Sequence, residues 1–160
     1  MLVSKVLYVD GIHPAVAKID FDRLKWKLCQ SAEMSMSVEN ANMAELEYRR
    51  FLTLKRLYPS VGLVPNKLVD AFWHAHILDT KAYQRDCDNV FGYFMHHFPY
   101  FGICGEDDQI QLGTAFEETK YLYGLHFGDY PEELDNASRC HDHPCHVPST
   151  CACRVPGACK

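Results

Sequence analysis

The chain has no run of about eighteen apolar residues, so nothing in it reads as a membrane-spanning helix. It has no excess of positive charge either: 16 Lys and Arg against 21 Asp and Glu leave −5 at neutral pH. Phosphate recognition needs a basic face, so nucleic acid is set aside as a partner. Three reaction signatures are absent: a Gly-rich phosphate loop, a Gly-x-Ser-x-Gly elbow and a His-Glu-x-x-His helix. The NTPase, α/β-hydrolase and zincin classes lose their support with them. The first ten residues, Met-Leu-Val-Ser-Lys-Val-Leu-Tyr-Val-Asp, are too short and too early in their polar residues for a secretory signal, which predicts a cytoplasmic protein. Cysteine is sparse over most of the length, with Cys29, Cys87 and Cys104 alone before residue 140.

What is present suits a globular domain. The 160 residues are 48% hydrophobic and 23% charged, with nine Phe, nine Tyr and two Trp. That length can bury a core without covalent staples. Residues 2–9 alternate enough for a short strand or extended arm. A helical pattern starts at Asp20 or Asp22 and runs through Leu24, Leu28 and Cys29 until Ser35-Met-Ser37 interrupts it. A second spans Val38 to Tyr58, with Ala44, Tyr48, Phe51, Leu54 and Tyr58 on one stripe and Glu45, Arg49, Arg50, Lys55 and Arg56 on a solvated face. Pro59 ends it. Asn66 can cap a third helix reaching about Asn89, a short fourth segment opens at Phe91 and stops at Pro99, and a last helix covers Gln109 to Phe127. The expected fold is therefore mainly α. Residues 1–136 form a single compact domain of about five helices, and residues 137–160 form a Cys/His-rich tail.

Histidine is concentrated in the middle of the chain. His74 and His76 fall on the third helix, and His96 and His97 follow about twenty residues later. A helix turns by about 100° per residue, so His74 and His76 face apart and cannot chelate one ion from a regular helix. Val69, Phe72, Trp73, His76, Ile77, Thr80, Tyr83 and Cys87 make a continuous and mostly apolar stripe, which places His76 toward the core. Asp79 shares its side. His74 shares a face with Asp70, four residues earlier. The motif thus divides into His76 with Asp79 and Asp70 with His74. Such pairs serve as shared metal ligands or as a ligand with the carboxylate that orients it. They also serve as hydrogen-bonded ties between helices, or as acid–base groups.

A metal site here would take His76, Asp79 and either His96 or His97, with Asp70 and His74 as further ligands or supports. Imidazole and carboxylate with open positions suit iron, zinc or copper. The aromatic surroundings predict a polar centre with an apolar wall, fit for a peptide or small-molecule substrate. Tyr83 and Cys104 are the candidate catalytic groups near that substrate; Cys104 lies between Gly102 and Gly105 and could be a reactive thiol.

The tail gathers Cys140, Cys145, Cys151, Cys153 and Cys159 with His141, His143 and His146. Thiolate and imidazole bind zinc and copper(I) well, but the paired Cys-x-x-Cys knuckles of a zinc ribbon are missing. The tail reads as metal-binding, as a plain flexible extension, or as disulfide-linked.

Leu63-Val-Pro65, Asp70, Trp73-His74-x-His76, Tyr83, Gly92 and His97 together resemble the glycine-rich domain-containing protein-like family over roughly residues 40–102. The resemblance implies a named helical domain rather than a reaction. It places one downstream histidine at the position of His96 or His97, and a Gly/Cys-rich tail that is nearly free of glycine here. The sequence as a whole predicts a metal-binding helical protein, a metalloenzyme with redox or metal-assisted chemistry on a peptide or small metabolite. The alternatives are a non-catalytic interaction module with structural His–Asp pairs, and a metal-handling chaperone that works through its tail.

Overall fold

Capping residues set the helix boundaries. In the computed structural model, which describes residues 10–32 and 35–136, the His13 ring nitrogen Nδ1 accepts from the Ala15 amide at 3.1 Å and starts the short helix α1, Pro14–Ala17. Pro14 occupies the first turn, where its missing amide proton is not needed. Helix α2 covers Asp22–Gln30. Ser37 accepts from the Asn40 amide at 3.1 Å and opens α3, Val38–Leu57. Asn66 does the same for α4, Lys67–Leu78, by accepting from the Val69 amide at 2.8 Å. Helix α5 is Thr80–Phe91, α6 is Glu106–Phe127, and a 3-10 turn covers Glu132–Leu134. Six α-helices and no β-strand occur among the described residues, so the fold is mainly helical. No helix of these is long and apolar enough to cross a membrane.

Besides the unforeseen α1 and an α6 that begins at Glu106 rather than Gln109, two boundaries differ from the periodicity. The single helix expected from Asn66 to about Asn89 is two helices, broken at Asp79 (φ −84°, ψ 71°). The Asp79 carboxylate accepts from the Ala82 amide at 3.5 Å and restarts the chain as α5, the capping role that short polar side chains favour. The fourth segment expected over 91–99 is not helical. Gly92 takes the left-handed conformation (φ 76°, ψ 8°), and its amide closes α5 onto the carbonyls of Cys87 and Asp88. The N-terminal arm, the tail from residue 137 and the metal or disulfide chemistry expected there lie outside the described residues.

Helix α3 is central and packs against α1, α2, α4 and α6. Its buried face meets Phe72 and Trp73 of α4 and Tyr83, Cys87 and Val90 of α5. Phe21 stands edge-on to Phe72 at 5.3 Å between ring centroids, locking α2 to α4. A smaller cluster, Val64, Leu112 and Phe116, holds α6 against the connector before α4. The consequence for function is that α4 lies between a packed core on one side and an open cleft on the other.

Candidate metal centre

The two histidines of α4 serve opposite sides of it. His76 is buried; its Nδ1 lies 3.0 Å from the Tyr48 hydroxyl and its Nε2 lies 3.0 Å from Asp86 Oδ2. A carboxylate only accepts, so Nε2 carries the proton and donates to Asp86, which leaves Nδ1 to accept from Tyr48. Both ring nitrogens are satisfied by separate partners. Burial pushes the His76 imidazole below its ordinary range, against the pull of Asp86, and pushes the Tyr48 phenol well up. The pairing expected between His76 and Asp79 is made with Asp86 instead. The helix break at Asp79 is the reason: it turns Asp79 to the surface as a cap and swings the next helix so that Asp86 arrives beside His76.

On the other side of α4, Asp70 Oδ1 lies 2.8 Å from His97 Nε2 and 3.4 Å from His74 Nε2. The two imidazole Nε2 atoms are 3.1 Å apart. Three donor atoms therefore converge on one point. Asp70 and His74 are four residues apart, one helical turn, so α4 spaces them without further help. Their side chains differ in access: His74 is 50% exposed, and Asp70 and His97 are each 10%.

With Asp70 ionised, no placement of protons makes all three contacts attractive. An ionised Asp70 needs a proton on each imidazole Nε2, and two protonated nitrogens then confront each other. Removing either proton leaves a lone pair facing the carboxylate. A cation resolves the conflict. Atoms about 2.0–2.2 Å from a common ion stand roughly 3.0–3.5 Å apart in tetrahedral or octahedral arrangements, and the three separations need to change by only a few tenths of an ångström. Among the described residues, Asp70, His74 and His97 are the His/Asp group that could hold a metal ion.

His97 reaches this point from the irregular chain after Gly92. The Tyr83 hydroxyl donates to the Met95 carbonyl and accepts from Trp73 Nε1 at 3.0 Å, which fixes the backbone two residues before His97. The Trp73 ring packs on the His97 imidazole at 4.5 Å between centroids. A cleft of about 260 Å³ opens beside the cluster, with Trp73, Phe101, Leu112 and Lys55 in its wall. His96 is exposed and lines the cleft without joining the three donors. Tyr83 is buried in the core behind Trp73, with its hydroxyl engaged as described. Burial raises its phenol above the ordinary range. Cys104 is exposed on the loop before α6, where its amide donates to Asp108 at 3.0 Å. The cleft lining includes neither Tyr83 nor Cys104. The sequence reading missed Asp86 and Lys55; Asp86 had a signal in its position one turn past Tyr83, facing the same stripe.

No curated protein and no solved structure matches the chain. The resemblance to the glycine-rich domain-containing protein-like family is overturned by the family model that does match, which is a different one. The Trp73-His74-x-His76 run and its upstream Val-Pro lie within the stretch that this model matches. The matched stretch, residues 14–114, covers more than half of the sequence and includes Asp70, His74 and His97, and the chain belongs to the UCP032817-like family.

Proposed function

We propose that the protein binds one transition metal ion (iron, zinc or copper) through Asp70, His74 and His97, and works as a metalloenzyme on a small molecule held in the adjoining cleft. The observation that carries this is the convergence of two Nε2 atoms and one carboxylate oxygen in an arrangement that hydrogen bonds to an ionised Asp70 cannot satisfy together. Two histidines and one carboxylate on an open face suit non-haem iron, and three protein ligands with a fourth position open suit catalytic zinc. A closed structural site would need a fourth protein ligand. The ion would supply Lewis acidity, or one-electron chemistry if it is iron or copper. The volume of about 260 Å³ falls just below the range of about 300–1,000 Å³ typical of drug-sized ligands, which favours a small metabolite over a peptide.

The tail cysteines would bind metal on their own account, so the test uses full-length protein with all five replaced by serine. Elemental analysis after dialysis against zinc or iron should find one equivalent. His97→Ala and Asp70→Asn should weaken binding by more than about 100-fold, since loss even of a supporting residue costs about 10–100-fold. His96→Ala should leave it unchanged. Absence of metal, or full retention in His97→Ala, would return these residues to a purely structural role.

A further inference from the structure

The lysine in the cleft wall differs from its neighbours. Lys25 pairs with Glu45 at 2.6 Å, Lys120 with Asp135 at 2.7 Å, and Arg56 donates to His13 and to the Val90 carbonyl. Lys55 stands one helical turn after Phe51 on α3, with its ammonium 5.9 Å from the Phe51 ring centroid, and no acid among the described residues pairs with it. Burial alone holds that ammonium below the ordinary lysine range. A cation kept in a partly dry wall with no acid of its own is a place for an anion from outside.

The rest of the cleft narrows the anion. Its carboxylate, Asp70, is engaged by His74 and His97, and a divalent ion there would add positive charge to the same wall. Apart from the His96 imidazole, the lining offers one lysine and no arginine, which suits a singly charged group better than a phosphate, whose oxygens call for several charged donors. The rest of the wall is mainly apolar, with Trp73, Phe101 and Leu112 its larger side chains. We propose that the cleft binds a small carboxylic acid, with its carboxylate on the Lys55 ammonium and its apolar body against Trp73, Phe101 and Leu112. This rests on the cleft being the substrate site beside the metal centre.

Full-length protein with the five tail cysteines replaced by serine, and its Lys55→Met and Lys55→Arg variants, would be titrated with 3-phenylpropionate and with its uncharged amide, 3-phenylpropanamide, by calorimetry, with and without zinc. Met keeps the apolar stem on Phe51 and removes the charge. In zinc-free protein the acid should bind about tenfold or more tighter than the amide. Lys55→Met should remove that preference by weakening the acid alone, and Lys55→Arg should restore it. Equal binding of acid and amide, no binding of either, or an unchanged preference in Lys55→Met would overturn the assignment. Zinc content, measured on the same samples, tests the metal centre separately. A protein without zinc that still prefers the acid through Lys55 keeps this inference and loses the metal. A protein with zinc and no preference does the reverse.

Discussion

Replacement of His76 by alanine tests whether that histidine is a tie in the core rather than a metal ligand. The ring is 3% exposed and lies 4.9–5.7 Å, centroid to centroid, from Phe21, Tyr48 and Tyr83. Truncation removes this packing, which costs about 2 kcal/mol for a side chain of this size. It leaves the Tyr48 hydroxyl buried without its acceptor, at about 1–2 kcal/mol. Asp86 loses one donor but keeps the Arg85 guanidinium at 3.0 Å, and Arg85 is largely exposed, so about 1 kcal/mol covers that loss. Together these give about 4 kcal/mol, a large share of the roughly 5–15 kcal/mol that holds a domain folded. The melting temperature should drop by roughly 10–15 °C. Urea titration followed by circular dichroism and by the fluorescence of buried Trp73 measures the change. Tyr48→Phe combined with His76→Ala should fall short of additivity by about 1 kcal/mol, because the two residues share a hydrogen bond. A loss below about 1 kcal/mol, or strict additivity, would refute the account, as would loss of the metal from His76→Ala protein that remains folded.

Two further outcomes follow from the same structure. Burial holds the His76 imidazole below its ordinary value of 6.5, so the unfolded chain binds more protons; stability is complete above that value and declines as the pH falls from there toward the folded value. Wild type should therefore lose stability faster than His76→Gln between about pH 7 and 5, by up to about 1.4 kcal/mol per pH unit, while the lowered His13 and the raised Glu47 act equally in both proteins. Parallel curves would show that His76 does not titrate with folding. Gly102 adopts φ 86°, and a Cβ there would stand 2.5 Å from Leu112 Cδ2, so Gly102→Ala should cost about 2–3 kcal/mol and disturb the cleft. A thermal melt unchanged within about 2 °C would contradict that packing.

The helices were legible because their caps and stripes are local features. Asn66 announces α4, and the apolar spacing through Tyr48, Phe51 and Leu54 marks the buried face of α3. The break at Asp79 was not legible, since an aspartate within a helical pattern carries little signal until tertiary packing selects it as a cap. That break also hid Asp86 as the partner of His76. The choice between His96 and His97 needed the conformation of the segment. In extended chain, alternate side chains point to opposite faces. Met95 and His97 turn inward, while Phe94, His96 and Phe98 are exposed. Treated as a helix, the same residues gave no such division. Lys55 was assigned to the solvated face of α3, and the cleft was not foreseeable because it is built by residues 62–65 and 96–101 folding over that face.

The chain of hydrogen bonds from Trp73 through Tyr83 to the Met95 carbonyl has a thermodynamic consequence. Asp70 and His74 are spaced by a rigid helical turn, but the third donor is delivered by irregular backbone anchored to the hydrophobic interior at Tyr83. If an ion binds there, order in the interior and affinity for the ion become linked functions: the free energy by which that order strengthens ion binding is the free energy by which the ion stabilises the order. Tyr83, which is not among the three candidate donors, would carry that coupling through its hydrogen bonds to Trp73 and the Met95 carbonyl. Its hydroxyl would make the interior sense the ion, and would protect the backbone around Met95 from hydrogen exchange when the ion binds.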